Sequence, residues 1–298
     1  MLRQYAIGVV LLAVTCATAQ RSFAQNAVKV DAPINCYSCN EWNQPQEPFQ
    51  VFGNTYYVGM AGVSAVLVDG GSELLLLDAG LPQSAAPILA NIRKLGFDPA
   101  KISTITLSHA HFDHAGGINA IQRFSGAKVL SSEAGAASLG IGDLLPDDPQ
   151  YDQPRENRMY PAVDNVAVVE DGAEYVIGDV TIRGVFTPGH TPGGMSWTWQ
   201  SCEQERCLDI VYADSIGPVS VDSYRFSDGL GDDLARSARR VAKLDCDILL
   251  VTHPFVFNMQ EKFEQGREAF VDASACKTYG DATLRRLQDR LAAEKPRG

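Results

Sequence analysis

The chain has 298 residues, enough to bury a large core as one domain or two fused halves. Hydrophobic residues make up 45% of it, and its formal charge is -11 with no basic run. That balance suits a globular protein and argues against nucleic acid or an anionic membrane surface as a partner.

The first residues, MLRQYAIGVVLLAVTCATAQ, carry one positive charge (Arg3), an apolar run from Tyr5 to Thr15, and then Ala17-Thr18-Ala19. This predicts a secretory signal peptide over 1–19 and an exported chain over 20–298. The apolar run is too short to span a bilayer, and no other apolar run is long enough to cross one. After a polar leader, residues 49–80 alternate apolar runs with glycine punctuation such as Gly53-Asn54 and Asp69-Gly70-Gly71, which predicts three or four hairpin strands. APILANIRKLG is amphipathic and stops at Gly96, so it reads as a helix. ISTITLS (102–108) reads as a strand, GGINAIQRF as a helix start, and AKVLSS as a strand. Residues 142–162 hold four prolines and read as a long irregular loop, of the kind that is usually functional or mobile. Strand patterns resume with VAVV, VTIRGVF, MSWTWQS and LDIVYA. A helix follows over 232–243, then the strand CDILLVTH, and a helix over 274–294. Strands mixed with helices throughout predict a layered α/β sandwich. There is no residue-level repeat, although strand, helix, strand and histidine follow one another in both halves.

Without Cys16, six cysteines remain, an even number that suggests disulfides in an exported chain. Cys202 and Cys207 flank a polar turn between two strand patterns, which makes a hairpin staple plausible. Cys246 and Cys276 would close a loop of about 30 residues, for roughly 3 to 4 kcal/mol on the chain-entropy model. Cys36 and Cys39 form C-x-x-C, but the second pair that a zinc ribbon needs is missing.

The chain has five histidines, and three of them fall in SHAHFDHAGG (108–117). On an extended backbone residues i and i+2 point the same way, so a strand end aims His109 and His111 at one ion. Asp113 and His114 follow in the turn and can reach a second ion. His190 lies in the turn TPGHTPGG, and His253 directly follows the strand DILLVT. Neutral imidazoles with a carboxylate suit zinc, and this cysteine-free set leaves room for water, as catalytic sites do. Two ions about 3.5 to 4 Å apart would share a hydroxide that attacks a carbonyl carbon, with Asp113 orienting it. There is no G-x-S-x-G and no spare histidine to activate a serine.

LLLLDAG, SHAHFDHAGG, TPGHTPGG, YADS and VTHP together resemble the metallo-β-lactamase superfamily, in its order and over nearly all of the exported chain. The combination resembles class B β-lactamases of subclass 3. The resemblance implies a four-layered αβ/βα sandwich, two Zn2+ ions and hydrolysis of the β-lactam amide bond. Penicillins, cephalosporins and carbapenems would be the substrates, and antibiotic resistance in the periplasm the result. It implies His109, His111 and His190 as ligands of one zinc and Asp113, His114 and His253 as ligands of the other. It implies Cys246–Cys276 and Cys202–Cys207 as disulfides, and Ser215 as a partner of the substrate carboxylate. Two positions beyond Ser215 the subclass commonly has a second hydroxyl, where this chain has Gly217. Ser220 is the candidate to compensate. Cys36 lacks the partner some relatives supply, because Met60-Ala61 occupy that place, and this leaves Cys39 as an alternative. The implied partner is a small β-lactam met by a monomer, with no nucleic acid and no membrane after signal cleavage. A lactone- or thioester-hydrolysing dizinc relative is the alternative, in which Asp214 would bridge the metals. Asp78 is expected to cap backbone N–H groups near the metal loop, and Trp197 and Trp199 to fill the core. Gln150 and Tyr151 are candidates for the groove wall.

Overall fold

The computed structural model describes residues 28–295, so the signal-peptide stretch 1–19 lies outside the described residues. A short helix, α1 (Cys39–Trp42), precedes the first sheet. That sheet is formed in sequence order by β1 (Phe49–Phe52), β2 (Thr55–Tyr57), β3 (Val66–Asp69), β4 (Leu74–Leu77), β5 (Ile102–Thr106), β6 (Lys128–Ser131) and β7 (Val166–Val168). Its first four strands are antiparallel, and β4 to β7 are parallel. Between them lie α2 (Ala85–Lys94), α3 (Phe112–Ala115), α4 (Ile118–Ser125) and α5 (Glu133–Ile141). The second sheet holds β8 (Glu174–Ile177), β9 (Val180–Phe186), β10 (Met195–Glu203), β11 (Arg206–Ala213) and β12 (Ile248–Val251). α6 (Gly231–Val241) lies between β11 and β12, and α7 (Met259–Gln265) and α8 (Ala275–Glu294) follow β12.

The central strands of the first sheet are buried on both faces, which is why their sequence is a continuous apolar run. Val66, Val68, Leu75 and Leu77 face the core shared with the second sheet. Leu67, Leu74 and Leu76 face the other way, with Ile88 and Leu89 of α2 and Ile118 and Ile121 of α4. Leu234 and Ala238 of α6 and Cys276 and Leu287 of α8 belong to the cluster around the second sheet. The order is helices, sheet, sheet, helices, as expected for the αβ/βα sandwich. Trp197 and Trp199 bridge the two sheets. The Trp197 indole donates to the Leu107 carbonyl (3.0 Å), and that of Trp199 to Thr55 Oγ1 (2.9 Å). Both are buried, so each ring fills core volume without leaving its N–H unpaired.

Cysteines pair as 36–39, 202–207 and 246–276. Cys202 and Cys207 are register partners across the β10–β11 hairpin. The last bridge ties the residues before β12 to the start of α8. No described helix is long and apolar enough to cross a membrane.

Replacing Cys246 and Cys276 with alanine is expected to destabilise the fold by roughly 3 kcal/mol, seen as a lower denaturant midpoint, because the bridge closes a long loop in the unfolded chain.

Candidate metal centre

Strand ends deliver the site. β4 runs into Asp78, β5 towards Ser108 and His109, β11 into Asp214 and Ser215, and β12 into Thr252 and His253. β4 and β5 are parallel neighbours, as are β11 and β12. β9 is antiparallel to β10, which is antiparallel to β11, so β9 brings the His190 turn to the same rim as β11. Gly189 in that turn has φ +138°, and a Cβ there would lie 2.5 Å from Leu234 Cα. Glycine is therefore what lets the turn pack on α6. After His109, His111 keeps an extended backbone (φ -87°, ψ 156°) and opens α3, whose single turn carries Asp113 and His114.

One ligand-type atom from each of His109, His111 and His190 lies within 4.8 Å of the other two, and Asp113, His114 and His253 form a second such group. All six were expected from the sequence, and they assemble in those two sets. The groups adjoin, with the His109 and His114 ring centroids 4.4 Å apart. All are buried except His253, which is partly exposed.

Each ring has one nitrogen facing an oxygen of the protein behind it. His109 Nδ1 is 2.8 Å from Asp214 Oδ1, and His111 Nε2 is 3.1 Å from Asp148 Oδ2. His114 Nδ1 is 3.3 Å from Asp78 Oδ2. His190 Nδ1 donates to the Gly217 carbonyl (3.1 Å) and His253 Nδ1 to that of Gly62 (2.9 Å). Such outer contacts fix the tautomer and leave the other nitrogen's lone pair for a metal. His109 Nε2 and both nitrogens of His114 are buried with no hydrogen-bond partner in the protein, the His114 nitrogens each lying 3.3 Å from a carboxylate oxygen, of Asp78 and of Asp113. Orphaned imidazole nitrogens of this kind are what a metal would satisfy, so the donor set fits a pair of cations.

The electrostatics agree. Burial, reinforced by the neighbouring imidazoles, holds His109 well below its usual range, and burial and His111 push His190 down to about 3. Both rings are therefore neutral donors. Burial opposes charge on His114 too, but Asp113 and Asp78 outweigh it and push the ring up to about 10. The second group thus favours positive charge. Burial also raises Asp214 well above the usual carboxylate range.

The centre floors a cleft of about 470 Å³. Trp42, Phe112 and Phe255 form apolar wall on one side, Gln150, Gln153 and Asn157 supply amides, and Ser215, Tyr279 and Arg286 also line the cleft. The Ser215 hydroxyl is 2.5 Å from Thr252 Oγ1. Gln150 Nε2 comes within 3.4 Å of His111 Nδ1. Tyr151 does not line the cleft and lies under the Arg158 guanidinium instead. Ser220 is also absent from the wall. Its hydroxyl donates to the Val221 carbonyl and accepts from Arg290, so it does not replace the hydroxyl missing at Gly217. Asp78 meets its expected capping role, accepting from the Ser108 N–H and hydroxyl. Sequence reasoning missed Asp148, Trp42, Phe255 and Arg286. Asp148 had a faint signal, as an acidic residue in a proline-rich loop already suspected of function.

A metallo-beta-lactamase superfamily model matches residues 58–253, and the chain belongs to that superfamily. Among solved structures it is similar to the Rm3 metallo-beta-lactamase, at 44% identity and TM-score 0.85 over 88% of this chain and 100% of that one. It is also similar to MEM-A1, a subclass B3 metallo-beta-lactamase isolated from a soil metagenome library, at 42% identity and TM-score 0.80 over 85% of this chain and 98% of that one. The subclass resemblance read from the sequence therefore extends to the whole fold. A curated relative, the atrochrysone carboxyl ACP thioesterase of Aspergillus fumigatus, is 26% identical over 72% of this chain and 58% of its own length. The chain spans less than two thirds of the length of this and other curated relatives.

If the two groups bind separately, zinc-loaded protein carries two ions per chain by elemental analysis. His114→Ala is expected to carry about one, with all three disulfides retained.

Proposed function

We propose that this chain is an exported, periplasmic dizinc β-lactamase, acting as a monomer in which residues 20–298 form one domain. The observation that carries the reading is the pair of ligand groups side by side on the floor of one cleft, with Ser215 in its wall. The names of the two solved relatives support the same chemistry. His109, His111 and His190 would hold one zinc, and Asp113, His114 and His253 the other. Bound zinc supplies Lewis acidity towards a carbonyl oxygen and lowers the pKa of water towards neutrality.

The chain's own residues do the rest. Asp113, the carboxylate of the two ligand groups, orients the reacting water. The walls of Trp42 and Phe255 pack on the substrate's apolar parts and exclude bulk water. Ser215 donates a hydrogen bond to the substrate carboxylate. Water adds to the lactam carbonyl carbon, the ring C–N bond breaks, and the nitrogen leaves with a proton. Penicillins, cephalosporins and carbapenems all contain that bond, and its hydrolysis would confer resistance.

The thioester or lactone alternative requires Asp214 between the metals. Here Asp214 is fully buried behind His109, with Oδ1 on His109 Nδ1 and on the Ser215 N–H, and it does not line the cleft. That placement favours the lactamase.

The zinc-loaded protein should turn over a penicillin, a cephalosporin and a carbapenem faster than a lactone or an acyl thioester, and a chelator should abolish it. Failure on all three lactams with metal bound would overturn the reading. Ser215→Ala should raise KM by about tenfold with a smaller change in kcat, as expected for loss of a hydrogen bond to a charged group made in both ground and transition states.

A further inference from the structure

The missing hydroxyl at position 217 leaves a gap beside Ser215. Gly217 is buried, and its carbonyl holds His190, so the gap borders the metal centre. A Cβ built at Gly217 would touch nothing closer than Arg286 Nη2 and Val219 Cγ2, each at 3.9 Å. A guanidinium therefore stands at the edge of the space that a side chain at 217 would use.

The position of Arg286 follows from α8. The Tyr279 hydroxyl donates to the Asp214 carbonyl (2.8 Å) and accepts from the Ile216 N–H (3.1 Å), which docks the helix on the turn that carries Ser215. Arg286 comes seven residues later, two helical turns on, and so projects from the same face. Its one side-chain hydrogen bond is to Thr283 Oγ1 (3.1 Å). Among the described residues, the ion pairs that engage Arg225, Arg236, Arg240 and Arg290 leave Arg286 without a carboxylate. Among the described residues lining the cleft, it is the only arginine or lysine. The chain as a whole is strongly negative, so an anionic substrate needs a local cation to offset that field.

We propose that Arg286 is a specificity-determining residue that anchors the substrate carboxylate together with Ser215, in place of a side chain at position 217. The inference rests on the lactamase reading. A β-lactam carries its carboxylate next to the ring nitrogen, and a guanidinium presents paired N–H donors that match both carboxylate oxygens. Anchoring from α8 also explains why Gly217 is tolerated. The cation enters from another element, so the residue at 217 needs no functional group.

The test compares benzylpenicillin with its methyl ester, which lacks the negative charge, on zinc-loaded wild type, Arg286→Gln and Arg286→Lys. Arg286 is exposed, so both variants should keep the wild-type melting temperature. For Arg286→Gln, KM for the acid should rise about tenfold or more while kcat changes far less, and KM for the ester should not move. Arg286→Lys should recover part of the loss. An unchanged KM for the acid, an equal rise for acid and ester, or no recovery by lysine would each overturn the anchor while leaving the lactamase reading intact. A wild type that hydrolyses no penicillin, cephalosporin or carbapenem brings down the reading and the anchor together.

Discussion

One buried carboxylate organises this structure. Asp78 ends β4 with a left-handed backbone (φ 57°), a conformation that costs energy in any residue but glycine. What it gains is three donors from two residues. Ser108 N–H comes at 2.7 Å, Ser108 Oγ at 2.8 Å and the Tyr212 hydroxyl at 2.6 Å. Ser108 begins the metal loop of the first sheet, and Tyr212 belongs to β11 of the second. The carboxylate thus ties the sheets together at the rim where the ligands emerge, and its second oxygen also faces His114. A fully buried carboxyl group is tolerable only with such a set of partners. The strained backbone at Asp78 is what aims it at all of them.

From that point the site is assembled by strand order more than by local sequence. The cluster at 109–114 was legible because its spacing has a chemical meaning on its own. His190 and His253 were legible because each sits at a break between a strand and a loop, and because no other histidines remained. Trp197, Trp199 and Asp78 met their expected roles for the same reason, since strand patterns and an apolar setting imply them. Other parts carried no such pattern. β8 is an edge strand with most of its residues at least partly exposed, so it lacks apolar alternation. α5 is built from small residues (EAGAASLGI), with almost no contrast between faces, and was not foreseen. Asp148 and Arg286 acquire meaning only when folding brings a distant loop and the last helix to the cleft. Ser220 shows the converse. Closeness in sequence to Ser215 suggested a role, but the chain turns its hydroxyl to Arg290.

The ligand rings are held in two different ways, and the difference is electrostatic. His190 and His253 lean on backbone carbonyls, which orient a ring without adding charge. His109, His111 and His114 lean on Asp214, Asp148 and Asp78. Asp113 adds another carboxylate, so four acidic groups crowd around five imidazoles, all within one largely buried region. Burial, reinforced by Asp78, pushes Asp214 well above its ordinary range, which shows how poorly that environment supports its charge. Cations held between the rings would offset the buried acids, so the donor set and the desolvated carboxyl groups suit the same occupant, although one concerns lone pairs and the other desolvation. On this argument the carboxylates behind the rings do more than fix tautomers. They would make the binding of cations part of what holds this end of the sandwich together, because without that charge the buried acids would repel one another or take up protons.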